Sequence, residues 1–346
     1  PTPVSALIHA ATMVVAGVFM VARMFAVYAL AAPDVLEIIA YIGAITALFA
    51  ALVACTQTDF KKVLAYSTIS QIALMMLGLG VAGWGVESSE GYVASLFHLF
   101  THAFFKAGLF LCAGMVIHAV GTGDLNKLGG LRKYFPITHA VFLIAALAIS
   151  GIPFFAGFYS KEAILFAAYE HSMGLFVLAS LSSALTAFYM FRLYFMVFHY
   201  QPSDLHKEHA HEPLLMSLPL LILGVLSVAA GYVDFGRLVH LPVSKAAEAS
   251  LHTHIGFSIL PVGLAVLAIA LAYRMYYRSN MLPEKARAYF GSLYVGFYHK
   301  LYIDQAYEFF AKRMMIGGLG SLIVWIDTHL VQRAVVGTGE STRMLS

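Results

Sequence analysis

Apolar positions along this chain come in long continuous runs, at roughly 3–24, 35–55, 63–82, 93–119, 136–170, 173–199, 213–233 and 255–277. A helix needs about 20 such residues to cross a hydrocarbon core, so the pattern predicts eight membrane crossings. Barrel strands would alternate in polarity over about ten residues, and these runs do not. The fifth run is longer than one crossing and is interrupted by Gly151, Pro153 and Gly157. It predicts a broken helix, whose freed carbonyls need partners in a protein-lined or watery cavity. From about 284 to 335 the pattern changes: Phe290, Leu293, Tyr294, Phe297, Leu301 and Tyr302 interleave with Lys300, Asp304, Glu308, Lys312 and Arg313. That mixture fits an amphipathic helix lying in the interface. Asp327, His329 and Arg333 then lead into a Gly-rich end with no further crossing predicted.

Composition supports a bilayer protein. The 346 residues are 60% hydrophobic and 11% charged, less than half the charged share of about 25% in soluble domains. The net charge of +3 is small and dispersed, so nucleic acid is not an expected partner. Cys55 and Cys112 both lie in apolar runs and read as buried and unpaired. Basic residues fall in alternate loops: Lys61 and Lys62, Lys127 with Arg132 and Lys133, Lys207, then Arg278, Lys285 and Arg287. The 83–92 loop carries Glu87 and Glu90 with no base, and the 234–254 loop adds only Arg237 and Lys245. The positive-inside rule places the first set on the cytoplasmic side, or on the matrix side of a mitochondrial membrane.

Ionisable groups within the runs are the candidate chemistry, because each costs about 2.5–3.5 kcal/mol on insertion scales. His98, His102 and Lys106 recur every four residues and so share one face of a helix. Imidazole exchanges protons near neutral pH, and a lysine withdrawn from water can do so too. Two satisfied histidines and a snorkelling lysine would explain one such residue better than three in register. Lys161 follows the Gly151–Gly157 break, at the amino end of the distal half-helix, with Glu162 beside it. His9 lies in the first run, where a core histidine and a relay histidine are equally compatible with the pattern. Lys61 and Lys62 follow Asp59 at a helix entrance. His199, His206, His209 and His211 gather near Lys207, Glu208 and Glu212, a set that reads as a solvated loop rather than a metal site. A dinucleotide glycine fingerprint, a phosphate loop, an iron–sulfur thiolate set and a Gly-x-Ser-x-Gly elbow are all missing, so no redox chemistry is visible.

Four strings then carry a resemblance: Pro1-Thr-Pro-Val-Ser-Ala-Leu-Ile-His9, Gln57-Thr-Asp-Phe-Lys61 through Ser70-Gln71, His98-Leu-Phe-Thr-His102-Ala-Phe-Phe-Lys106, and Phe155-Ala-Gly-Phe-Tyr-Ser-Lys161-Glu162. Together they resemble the NuoL-type antiporter-like subunit of respiratory complex I, over residues 1 to about 200. Farther on, Tyr298 to Tyr307 is similar to the lead into that subunit's lateral helix. The resemblance implies an all-α polytopic membrane protein of antiporter-like inverted five-helix repeats, each with a broken helix. Residues 1–33 would close a first repeat, 34–200 form the second, 201–280 add two transmembrane helices, and 281–346 hold the amphipathic lateral segment. Pro1 falls inside a family string, so the chain reads as part of a larger subunit or as a split or truncated one.

By the same resemblance Lys106 is the central lysine, His98 and His102 are linking histidines, and Lys161 ends the line with Glu162. His9 marks the repeat boundary and Lys61 the cytoplasmic entrance. The implied function is proton translocation within NADH:quinone oxidoreductase. The chain would hold no cofactor, and NADH, FMN, iron–sulfur clusters and quinone would belong to partner subunits of the membrane and peripheral arms. The implied location is the bacterial cytoplasmic or mitochondrial inner membrane. Two alternatives are weighed: a large subunit of a multi-subunit Na+/H+ antiporter, and a haem-carrying electron-transfer protein, which would need facing histidines on two helices.

Overall fold

A computed structural model of the chain describes residues 2–82, 90–200, 212–239, 255–278 and 281–345. His206, His209 and His211, with Lys207, Glu208, Glu87 and Lys245, lie outside the described residues. Two compact units separate at Tyr289 and Phe290.

In the first unit the helices are α1 (Thr2–Ala10), α2 (Ala16–Arg23), α3 (Phe25–Ala31), α4 (Pro33–Thr56), α5 (Phe60–Val81) and α6 (Glu90–Val120). They continue with α7 (Pro136–Ser150), α8 (Ala156–His171), α9 (Met173–Phe198), α10 (Leu214–Ala229) and α11 (Ile255–Tyr276). Alanines at helical spacing on α4 (Ala40, Ala44, Ala47, Ala51 and Ala54) are all fully buried. Small side chains let backbones approach closely where lipid supplies no hydrophobic drive, and α4 packs along α5. α1, α5, α7, α8 and α10 all pack on α6.

The basic loops predicted to share a side do meet. Asp59 caps α5 by accepting from the Lys62 amide at 2.9 Å. The Phe60 amide donates to the Gly123 carbonyl at 2.8 Å and Leu125 to Thr58 at 2.8 Å, tying the loop before α5 to the loop after α6. Glu212 accepts from the Ile137 and Thr138 amides at 3.0 and 2.6 Å, so a carboxylate sits on the amino end of α7.

The broken helix falls where Gly and Pro placed it, between α7 and α8. Gly151 takes a left-handed φ of 74° and ends α7. Neither half is long enough to cross by itself: α7 has 15 residues and α8 16. A second break was not foreseen. The first run, read as one crossing over 3–24, stops at Ala10 and resumes through a 3-10 turn at Met13–Val15, with Thr12 at φ −116° and ψ −92°.

The second unit, Phe290–Ser346, includes a distorted turn at Lys300–Tyr302, with positive φ at all three residues, and then a helix continuous from Ile303 to Leu345. By length and composition Lys300–Leu345 also qualifies as a membrane-crossing helix, where the sequence pattern predicts an interfacial one.

Gly157 packs α8 against the stub of α7, and a Cβ there would lie 2.1 Å from the Ala148 carbonyl oxygen. Gly157→Ala should cost about 1–3 kcal/mol of stability, the usual range for overpacking. A lowered melting midpoint in detergent, measured beside Gly263→Ala, where a Cβ meets open space, checks this.

Candidate functional site

α6 carries His98, His102 and Lys106 to the centre of the bundle, all three at 0% exposure. The two imidazole centroids lie 6.3 Å apart. Each side chain of the stripe is anchored from a different helix. Lys106 donates from Nζ to Ser67 Oγ of α5; the Ser67 hydroxyl donates its own proton to the Leu64 carbonyl at 2.8 Å, which leaves its oxygen free to accept. His102 Nδ1 bonds the Ala10 carbonyl at 3.0 Å. A carbonyl only accepts, so His102 carries its proton on Nδ1 and presents a bare lone pair at Nε2. That Nε2 is buried with no partner.

His98 is held the other way round. Gln71 Nε2 faces Thr186 Oγ1 at 3.4 Å and Gln71 Oε1 faces His98 Nε2 at 3.1 Å. The amide oxygen accepts, so His98 is protonated at Nε2, and Nδ1 accepts from the Ser160 hydroxyl at 2.8 Å. Ser160 also meets Thr101 at 3.0 Å. Thr186 donates to the Ser182 carbonyl at 2.9 Å and accepts from the Tyr189 hydroxyl at 3.3 Å. Tyr189 in turn faces the Ser67 and Ser70 hydroxyls. A buried polar loop thus runs from Lys106 through Ser67, Tyr189, Thr186, Gln71 and His98 to Ser160, the residue before Lys161.

Lys161 donates to the Ile149 carbonyl at 2.6 Å, a group that the α7–α8 break leaves without a helical partner. Its aliphatic stem lies over Gly151, 3.3 Å from where a Cβ would be. Among the described residues neither Lys106 nor Lys161 makes an ion pair. Glu162, one step of about 100° farther round α8, turns instead to α11 and accepts from Ser258 Oγ at 3.1 Å. The sequence sets Glu162 beside Lys161; in the structure Lys161 bonds the Ile149 carbonyl and Glu162 bonds Ser258.

His9 stacks on Phe110 at 4.9 Å, and the Lys106 ammonium lies 6.0 Å from the same ring. His9 also lines an apolar groove of about 540 Å³ with Ile39, Ile42, Thr68 and Met76. Lys61 lies at the basic end and donates to Thr2 Oγ1 at 3.0 Å, about one and two-thirds turns of α5 before Ser67. Lys61 is therefore near the start of the line rather than bonded into it. His199, from the loop set, joins Tyr194 at 3.1 Å. Among the described residues there is no cluster of three metal-binding side chains. The ring nitrogens of His98 and His102 that would face a haem iron are not set as a pair across two helices.

Sequence reading missed Ser67, Thr186 and Tyr189 and gave no role to Gln71 and Ser160, because their significance lies in contacts between helices. It also passed over Arg192, a charge inside the sixth run that was open to view. Arg192 is 5% exposed, donates to the Ala54 carbonyl at the end of α4 at 3.5 Å and lies 5.7 Å from the Tyr276 ring. A cation at a helix carboxyl end suits the helix dipole.

Known proteins agree with the resemblance. Residues 1–186 match the family described as NADH:quinone oxidoreductase/Mrp antiporter, transmembrane. NAD(P)H-quinone oxidoreductase chain 5 of Picosynechococcus sp. is 40% identical, over 99% of this chain and 56% of the relative. F(420)H(2) dehydrogenase subunit L of Methanosarcina mazei is 40% identical over 98% and 54%, and NADH-quinone oxidoreductase subunit L of Neisseria meningitidis 39% over 97% and 55%. The chain spans about half the length of the curated relatives it matches. Among solved structures, the Mrp complex from Dietzia sp. aligns at a TM-score of 0.68 and 23% identity, over 98% of this chain and 38% of that one. Respiratory complex I from Thermus thermophilus aligns at 0.55 and 25%, over 73% and 49%. With its apolar helices, the chain is a multi-pass membrane protein, and it belongs to the NADH:quinone oxidoreductase/Mrp antiporter transmembrane family.

Proposed function

We propose that this chain is the proton-carrying part of a membrane-arm subunit of an NADH:quinone oxidoreductase, with electron transfer carried by NADH, FMN, iron–sulfur clusters and quinone in partner subunits. The observation that carries the reading is the buried run of proton-exchanging and hydroxyl side chains between Lys106 and Lys161. Burying two lysines that have no ion pair among the described residues is costly, which marks both as functional candidates. In this reading residues 34–200, with α4, α5, α6, the broken α7–α8 and α9, make one five-crossing antiporter-like repeat. Residues 1–33 end the preceding repeat, 201–280 add two helices, and 281–346 contact neighbouring membrane-arm subunits.

Protons enter from the basic, cytoplasmic end near Lys61 and Ser67 and reach Lys106. His102 Nε2 is the open lone pair on the stripe, and His98, whose Nδ1 is bonded to Ser160, hands on to Lys161 through Ser160. Two ammonium groups ~8 Å apart at an effective dielectric of 20 repel by ~2 kcal/mol. That repulsion drives the proton off Lys161 when Lys106 is charged. His9, behind Phe110, stands where a preceding repeat would meet this one. The fold likeness to the Mrp complex supports a second reading, a cation/proton antiporter subunit; exchange of sodium for protons without NADH would favour it.

Lys106→Ala and Lys161→Ala should each lower proton pumping at least about tenfold, within the range of proton-transfer steps, while NADH-driven quinone reduction persists in part. Acidification of inverted vesicles holding the assembled complex measures this, and full pumping in both variants refutes the route. Gln71→Leu removes the acceptor that sets the His98 tautomer and leaves Thr186 without its amide donor. It should cost about 1–3 kcal/mol as a lowered melting midpoint and slow pumping without altering the binding of NADH.

A further inference from the structure

We infer that His139, Tyr194 and His199 form a pH-sensitive latch between α7 and α9, which releases as the cytoplasmic side acidifies and so slows the transport proposed above. The slowing rests on the reading of Lys161 as a proton carrier; the latch itself does not. His139 stands near the start of α7, Tyr194 in the last turns of α9, and His199 directly after that helix. His139 Nε2 and His199 Nε2 both meet the Tyr194 hydroxyl, at 2.7 and 3.1 Å, and the two imidazole centroids lie 5.6 Å apart. Tyr194 is buried, while both histidines are half-buried and within reach of water.

A phenol has one hydroxyl proton. With both rings neutral, Tyr194 donates it to one Nε2 and accepts an N–H from the other, so one oxygen joins the two helices through two satisfied bonds. Adding a proton to each ring makes both Nε2 atoms donors, and the Tyr194 proton then has no acceptor within the triad. Two imidazolium charges this close also repel. Arg132, in the turn before α7, adds a third positive charge that acts on both rings, and Tyr277 of α11 brings only a neutral ring, 5.2 Å from His199. Glu212, on the lead into α10, is engaged with the Ile137 and Thr138 amides. Among the described residues no carboxylate pairs with either imidazole. The closed triad therefore favours neutral rings. Its hold is complete above the imidazole range near about pH 6.5 and is lost as pH falls through that range.

The triad lies at the end of the bundle that bears Arg132, Lys133 and Arg278, the side that the positive-inside rule assigns to the cytoplasm. One turn farther along α7, Phe142 packs on Phe60 and Phe198, all three buried. That apolar layer suits a sensor of cytoplasmic protons rather than a route inward. α7 is one helix of 15 residues, about 22 Å long, and its far end carries the Ile149 carbonyl that anchors Lys161. Release of the near end thereby disturbs the Lys161 anchor with no contact between the triad and the lysine, as histidine clusters elsewhere act on a packed joint.

The experiment uses the assembled complex in inverted vesicles, whose outer face is the cytoplasmic one, with the outer buffer taken from about pH 8 to about pH 5.5, across the imidazole range. Hydrogen exchange of the α7 amides, corrected for its intrinsic pH dependence, reads the latch, and acidification per NADH oxidised reads transport. On acidification the native protein should lose about tenfold in α7 protection and at least about threefold in pumping. The double variant His139→Gln with His199→Gln keeps an amide donor and acceptor beside Tyr194 but takes no charge, so both responses should disappear. Tyr194→Phe, which keeps the ring, should exchange as the released state at both pH values. An unchanged α7 in the native protein, the same response in the double glutamine variant, pH-dependent exchange in Tyr194→Phe, or release without slower pumping each overturns the inference. If α7 stays closed at low pH while Lys161→Ala fails to pump, the latch fails and the reading of Lys161 stands; if α7 releases while Lys161→Ala pumps fully, that reading fails and the latch stands.

Discussion

Polar groups inside this bundle must draw their partners from within it, since the surrounding hydrocarbon offers none. The structure meets that demand by breaking helices. An intact helix uses its own carbonyls, and only where the ladder is interrupted does a backbone acceptor become available to a side chain. Two of the interruptions among the described residues each face a titratable group. The break after Ala10 presents the Ala10 carbonyl to His102, and the break after Ser150 leaves the Ile149 carbonyl to Lys161. At both of these breaks the irregular backbone lines the polar interior.

The remaining partners are Ser160 on α8 and side chains on α5 and α9. Ser67, Ser70 and Gln71 on one helix, and Ser182, Thr186 and Tyr189 on the other, are all buried, and Ser70 with Ser182 and Gln71 with Thr186 join the two helices. Their hydrogen bonds have direction. Thr186 donates to the Ser182 carbonyl, so its oxygen is left to accept from Gln71 and Tyr189, and this in turn orients the Gln71 amide and selects the His98 tautomer. His102, protonated on the opposite nitrogen, offers its lone pair at Nε2. Two histidines four residues apart on one helix thus present different nitrogens, and the difference comes from the neighbouring helices rather than from α6.

Much of this was legible in the chain. The spacing of His98, His102 and Lys106 required one face, and Gly151, Pro153 and Gly157 required a break, because these residues act through local backbone geometry. The break at Ala11 and Thr12 was not legible: Ala-Ala-Thr carries neither proline nor glycine, and there the Thr12 hydroxyl donates to the Leu7 carbonyl at 2.9 Å. Gln71, Thr186 and Tyr189 were hidden for a related reason. Each is an ordinary polar residue in an apolar run, and its meaning arises from residues more than 100 positions away, as with Gln71 and Thr186. Arg192 differs, since a charge within a run is itself a signal. For the last helix, composition admits both an interfacial and a crossing reading, and charges such as Asp327 and Arg333 in an otherwise apolar stretch make the pattern ambiguous.

The separation of Lys161 from Glu162 follows from helix geometry and has a chemical consequence. An ion pair between them would favour the ammonium and hold the proton in place. Adjacent residues on a helix point about 100° apart, so the lysine reaches the stub of α7 while the carboxylate reaches α11. Lys161 is anchored through a neutral carbonyl, which accepts from an amine as well as, more strongly, from an ammonium. The side chain can therefore keep its position in both protonation states, as a group that gives and regains a proton without dislodging its neighbours must do.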